Sequence, residues 1–268
     1  MGGSAQFRKK LQEKSKPQTG FEQVRARFGD SIANSIKGEN EEGIARGVLA
    51  AADLYGDDVI NRESITNTHS HALGTTNTFT GKIVVDGEQS NDLSGNYSLR
   101  GKDSETDAAL NTAHELTHRA TDFAASKEVR VQAALEDSVL RKYNKSREDY
   151  ANLIRDSRIR EGGDMDYDNL RDWLMTGWNM PRQDAGYLAK STTERWAAAK
   201  KFCISVVNQA ATDSGLSHFD LLTGISDYAA YGGPKEAVAE ANSDILVNGA
   251  NAKPESKWVY NAFNKLRN

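Results

Sequence analysis

The sequence predicts an α+β fold that is mostly helix packed around a small β-sheet. Three observations carry that expectation. Long stretches free of Gly and Pro place apolar residues at helical spacing. One segment, residues 65–101, switches to short β-branched runs separated by turn residues. Hydrophobic residues make up 38% and charged residues 27% of the 268 positions, the balance of a chain that buries a core in water.

Taken in order, residues 1–20 are polar and rich in Lys, Gln and Ser. They predict a flexible N-terminal arm or a short basic helix, and Met1-Gly2-Gly3-Ser4 has the look of a tag remnant. Residues 21–268 read as one domain. Over 21–60, Ile32, Ile36, Ile44, Val48, Leu49 and Ala52 predict one or two helices interrupted at Gly38 and Gly43. Residues 75–80 and 82–86 are β-rich, joined at Gly81, and residues 96–100 predict another short strand. An exposed edge strand can pair with an extended peptide. The sequence leaves open which strand forms the edge, and equally allows a purely supporting role for the sheet.

The next helix is well specified. Ser104-Glu105-Thr106-Asp107 predicts its cap, and no Gly or Pro occurs from 106 to 125. Ala109, Ala113, Leu116, Ala120 and Phe123 form an apolar stripe for burial. Leu110, His114, Thr117, His118 and Thr121 form a more polar stripe beside it, suited to face a cleft.

Residues 127–211 read as a helical insertion. Val129, Ala133, Leu135, Val139 and Tyr143 mark a helix running on toward Ile159, stopped by Glu161-Gly162-Gly163-Asp164. Residues 166–180 carry Leu170, Trp173, Leu174, Met175 and Trp178. A helical run over 193–211 carries Trp196, Phe202 and Cys203. Such stripes are ordinarily core packing; the alternative is a helical cap that restricts entry to a cleft. Farther on, Gly233-Pro234 opens a helix and Asn248-Gly249 closes it. Val238, Ala241 and Ile245 suit its inward face, while Glu236, Glu240 and Asp244 recur every four residues on another.

His114-Glu115-Leu116-Thr117-His118 carries the chemistry. The chain has five histidines, and two of them stand at i and i+4 of a helix, one turn apart on one face. This H-E-x-x-H spacing aims two imidazoles at one Zn2+ and leans Glu115 toward the place where a bound water would sit. A third ligand must come from elsewhere. His218 reads as part of a loop or helix start. His69 and His71 share a face only if they lie on a strand, with no acidic partner at a fitting spacing. Glu236 belongs to the acidic row described above. The ordinary reading of that row is a solvated rail, and a first-turn carboxylate also suits the helix dipole. The chemical reading makes Glu236 the third ligand, with Glu240 accepting the free N–H of a ligand histidine one turn later.

His114-Glu115-x-x-His118, then Ile225-Ser226-Asp227-Tyr228-Ala229 and Glu236-x-x-Ala239-Glu240-Ala241, resemble the zincin domains of anthrax lethal factor and of related phage head-associated and polymorphic-toxin proteins. The resemblance spans roughly residues 65–250 in outline. It implies the gluzincin-type metallopeptidase fold and peptide-bond hydrolysis, with His114, His118 and Glu236 as zinc ligands and Glu115 as general base. It further implies that Tyr228 donates to the transition state, with Tyr231 as rival. This chain has Ala237-Val238 where the family usually carries aromatic residues. Gly224-Ile225-Ser226-Asp227-Tyr228-Ala229-Ala230-Tyr231-Gly232 also resembles, with one extra residue, the signature of aspartate-ligand zincins. On that likeness Asp227 binds the metal and Tyr231 assists.

Composition narrows the field. The net charge of −4 and the absence of a basic stripe argue against nucleic acid as partner. A single cysteine, Cys203, rules out an internal disulfide framework, and its neighbours Phe202, Ile204 and Val206 suit a buried thiol. No apolar run is long enough for a membrane span, and the N-terminus lacks the apolar core of a secretory signal. The expected setting is the cytoplasm, a virion, or export by a signal-independent route. The expected function is a zinc endopeptidase acting on a protein or peptide substrate, associated with a phage particle or with toxin delivery. The alternative is a non-catalytic zincin-fold structural or interaction protein of a phage particle or secretion system.

Overall fold

A computed structural model of the chain describes residues 19–60, 65–70, 72–76, 82–94, 98–124, 127–160 and 166–267. Three helices open it: α1, Gly20–Phe28; α2, Asp30–Ser35; and α3, Glu41–Tyr55. Thr19 starts α1 with a reciprocal cap, its hydroxyl accepting from Glu22 N–H while the Glu22 carboxylate accepts from Thr19 N–H. Strands β1 (Ile65–Asn67), β2 (Gly74–Thr76) and β3 (Ile83–Val85) follow. The sheet order is β1-β3-β2. β1 pairs parallel to β3 with Ile65 opposite Ile83, and β2 pairs antiparallel with Gly74 opposite Val85. β2 is therefore an edge among the described strands.

Helix α4, Ser104–Ala124, lies against the sheet on one side and against helix α11, Pro234–Asn248, on another. Its apolar stripe is buried as the spacing requires: Ala109, Ala113 and Leu116 have no exposure. Burying a leucine this fully contributes about 2 kcal/mol. Helices α5 (Lys127–Lys142), α6 (Arg147–Arg160) and α7 (Tyr167–Gly177) lead into α8, Arg182–Ser214. Helices α9 (His218–Ile225), α10 (Asp227–Tyr231), α11 and α12 (Pro254–Arg267) complete the order.

Three apolar clusters form the core. The first joins α1, α3 and the sheet to Ala108, Leu116 and Ala120 of α4. The second joins the C-terminal half of α8 to α9, α11 and α12. The third holds α5, α6, α7 and the N-terminal half of α8. The stretch read as an insertion thus has a core of its own, and α8 runs through two cores. Among the described residues no helix is long and apolar enough to cross a membrane.

Several elements differ from the sequence expectation for identifiable reasons. Gly43 does not interrupt a helix; it lies inside α3, where a Cβ would sit 2.1 Å from the Glu105 carbonyl oxygen. Gly47 does the same against Ala109. These glycines let α3 and α4 approach backbone to backbone. The cap of α4 is Asp103 rather than Ser104, since Asp103 Oδ1 accepts from Thr106 N–H at 2.7 Å. The helix expected to run from 129 toward 159 is two helices. Asn144 takes a left-handed conformation with φ 53°, and Ser146 and Asp149 cap the next helix reciprocally. The run expected over 193–211 extends back to Arg182, with Pro181 as its N-cap residue. β1 was not foreseen, being three residues long and held by parallel pairing. Residues 98–100 form no strand. The arm over 1–18, His71, residues 77–81 and 95–97, and the Glu161-Gly162-Gly163-Asp164 break lie outside the described residues.

Candidate metal centre

Helices α4 and α11 bring three side chains to one point. His114 Nε2 lies 3.0 Å from His118 Nε2 and 3.2 Å from Glu236 Oε2; His118 Nε2 lies 3.0 Å from the same carboxylate oxygen. Four residues of α-helix put the two imidazoles on one face. Pro234 in the first turn of α11 places Glu236 at the helix entrance, beside them. The side chains retain 10%, 11% and 23% exposure, so the point opens to solvent through a cleft rather than being sealed.

The triangle has edges of 3.0–3.2 Å. Nitrogen and oxygen ligands at about 2.0–2.1 Å in tetrahedral array have edges of about 3.3 Å. Two imidazole nitrogens and one carboxylate oxygen so arranged fit a divalent ion. Among the described residues this is the one group of three histidine, cysteine or acidic side chains with such convergence.

The surroundings orient these side chains. His114 Nδ1 faces Glu240 Oε1 at 3.3 Å, so its N–H points to that carboxylate and Nε2 is directed to the cluster. The other oxygen of Glu240 accepts from Leu99 N–H at 2.7 Å and from the Ser226 hydroxyl at 2.8 Å. The acidic row of α11 is thus no solvated rail. Glu240 is 4% and Asp244 1% exposed, and Asp244 accepts from Lys253 N–H and the Asn248 amide, closing the turn into α12.

Electrostatics favours a cation here. Burial alone would lower the pKa of His114, but hydrogen bonds to Glu236 and Glu240 outweigh it and hold the ring well above its ordinary value. Burial alone would raise Glu236, yet His114 and His118 pull it far below the usual carboxylate range. Glu240 is lowered in the same way, against its own burial, chiefly by His114. A proton and a metal ion are alternative occupants of such a site.

Glu115 and β2 form the next layer. The Thr76 hydroxyl lies 2.6 Å from Glu115 Oε2 and 2.8 Å from the Glu115 carbonyl oxygen. A Cβ on Gly74 would sit 2.7 Å from Glu115 Cγ, so only glycine lets the carboxylate lie against the strand. Tyr228 stacks near His114, ring centroids 6.1 Å apart at 27°. Burial, then the nearby Glu236 carboxylate, pushes its hydroxyl pKa up, so it stays a proton donor at neutral pH. A cleft of about 580 Å³ joins these groups, with Gly74, Thr75 and Thr76 on one wall and Trp196, Lys200 and Lys235 on another. A smaller chamber of about 210 Å³ continues past His114 and Tyr228 to Ser98 and Asn111.

Of the residues singled out in the sequence, His114, Glu115, His118, Tyr228 and Glu236 line this one cleft, and Glu240 stands behind His114. The rivals lie elsewhere. Asp227 is exposed in the first turn of α10, outside the cluster, and Tyr231 is 68% exposed. His218 contacts Asn208, and His69 lies beside Asp86. Sequence reasoning missed Gly74, Thr76, Leu99, Ser226, Lys200 and Lys235, whereas Trp196 belongs to the helical run offered there as a cap beside a cleft. Of these, Ser226 carried a legible signal, a helix-capping serine; its second bond to Glu240 depends on tertiary contact. No protein-family model, curated protein or solved structure matches this chain.

Proposed function

We propose that the protein is a zinc-dependent endopeptidase. The observation that carries this reading is the convergence of His114, His118 and Glu236 within 3.2 Å, with Glu115 beside them in an open cleft. Zn2+ held by these three side chains would polarise a substrate carbonyl and lower the pKa of a bound water to about 7.

The chain's own residues supply the remainder. Glu115 takes the proton of the attacking water as the C–O bond forms, and passes it to the leaving amine as the C–N bond breaks. The Thr76 hydroxyl, 2.6 Å away, holds that carboxylate in place between the two transfers. Tyr228 donates a hydrogen bond to the oxygen that becomes negative as the carbonyl carbon turns tetrahedral. The edge strand β2 offers backbone groups to an extended peptide and lays it along the cleft. Glu240 keeps His114 oriented. A phage particle or a toxin-delivery system is the proposed setting, on the sequence resemblance.

The test is direct. Wild-type protein is expected to hold one zinc per chain and to cleave a protein substrate such as unfolded casein. Glu115→Gln is expected to keep the zinc and lose cleavage, since an amide cannot take the proton. A Glu115→Gln variant that still cleaves removes Glu115 from the base role. Wild-type protein with neither zinc nor cleavage would support the non-catalytic structural or interaction reading.

A further inference from the structure

The cleft is asymmetric in charge. Its β2 wall presents Gly74, Thr75 and Thr76, all uncharged. The facing wall presents Trp196 and Lys200, one turn apart on α8, together with Lys235 from the first turn of α11. Lys235 Nζ lies 4.8 Å from the Trp196 ring centroid, which holds that ammonium at the wall. The acidic residues among those lining the cleft are Glu115 and Glu236, and both belong to the reacting centre. The small chamber beyond Tyr228 adds Ser98 and Asn111, which are neutral, and Glu240, which is held by His114, Leu99 and Ser226.

An extended peptide paired with β2 uses its backbone on that side and directs alternate side chains away from the strand plane. The side chains reaching the α8–α11 wall meet the Trp196 ring with the Lys235 ammonium against it, and Lys200 one turn along α8. We propose that this wall is a specificity subsite for an acidic side chain, and that Lys200 and Lys235 select substrates carrying Asp or Glu on one side of the scissile bond. The inference rests on the endopeptidase reading and adds its substrate class. Trp196 contributes apolar contact for the methylene portion of that side chain, and the paired lysines contribute the charge.

Two measurements test it on the full chain. In the first, zinc-loaded wild-type protein and Lys200→Glu/Lys235→Glu are incubated with a peptide library made from a digested proteome, and the new termini are sequenced by mass spectrometry. Asp and Glu are expected to be enriched at one position within three residues of the cut, and the variant is expected to lose or invert that enrichment while keeping its zinc. Cleavage without acidic enrichment, or enrichment unchanged in the variant, overturns the proposal and leaves the peptidase reading standing. The second measurement needs no turnover. Two fluorescent decapeptides, alternating Glu-Ala and alternating Lys-Ala, are titrated by anisotropy into zinc-loaded Glu115→Gln with and without the two lysine changes. The Glu peptide is expected to bind at least about fivefold tighter, the scale of one well-placed ion pair, and to lose that margin in the variant. Equal binding of the two peptides overturns the subsite even where no cleavage is detected, whereas a charge-dependent margin without cleavage upholds the subsite and removes the peptidase step.

Discussion

Glu240 Oε1 stands 3.3 Å from Nδ1 of His114, and its second oxygen is occupied by Leu99 N–H and the Ser226 hydroxyl. One carboxylate thus ties α11, the start of α10 and the segment before α4 to a single imidazole. Glu240→Gln keeps the shape but weakens the acceptor facing His114. Zinc affinity is expected to fall about 10- to 100-fold, the usual cost of losing a partner behind a ligand. Competition with a chromophoric chelator measures this, and an affinity within twofold of wild type would show that Glu240 does not orient His114.

Under the proposed reaction, Gly74 bears on rate rather than on metal. A Cβ there would meet Glu115 Cγ at 2.7 Å, and the glutamate side chain is the part that can give way. Gly74→Ala is therefore expected to displace the Glu115 carboxylate, lowering kcat about 100-fold, on the scale of one misplaced catalytic group, with zinc content retained. Loss of zinc instead would mean that the strand positions the ligands rather than the base.

The metal-free protein is expected to hold a proton at the place proposed for the ion. His114 is raised well above its ordinary pKa by Glu236 and Glu240, despite burial. Zinc must displace that proton, so binding near pH 7 is expected to release about one proton per ion. Calorimetry in buffers of different ionisation enthalpy gives the number directly, and zero release would place His114 neutral before zinc arrives. The same shift fixes a stability trend. A folded pKa above the unfolded 6.5 stabilises the metal-free chain fully below pH 6.5, and that contribution disappears as pH rises through the folded value. Zinc-bound protein should lack this loss.

The contact between α3 and α4 is set by glycine. At Gly47 a Cβ would lie 2.6 Å from the Ala109 carbonyl oxygen and 2.7 Å from Thr112 Cβ. In a free helix Gly→Ala gains about 1 kcal/mol. Overpacking a helix interface costs about 1–3 kcal/mol, and the obstacle here is backbone, which cannot rotate aside. Gly47→Ala is expected to be destabilising by about 1 kcal/mol or more, seen as a lower urea midpoint at unchanged slope. A higher midpoint would show that α3 shifts without cost.

The helical part of the centre was legible because helical periodicity is local. The i, i+4 spacing of His114 and His118 and a proline before Glu236 need no tertiary information. The acidic row of α11 was legible as spacing but not as environment: burial of Asp244 depends on Lys253 N–H, supplied by the turn that follows. Leu99 reaches Glu240 across 141 positions, a pairing no local pattern encodes. Glycine was read as a breaker at Gly43, where it serves close approach, because the two uses look alike without the neighbouring helix. The break after Tyr143 was encoded in Asn144 and the Ser146–Asp149 cap, and was overridden by the apolar spacing on either side.

Helix α8 is anchored at both ends in different packing centres, with Ala185, Leu188 and Ala189 in one and Cys203, Val206 and Ala210 in the other. Trp196 and Lys200 sit between those anchorages. One continuous helix thus links the three-helix lobe to the second core, and the midspan of that helix is also the rim of the opening. Among the described residues, a tilt of the lobe that α8 follows as one piece carries Trp196 and Lys200 with it, so the width of the opening is coupled to how the lobe packs.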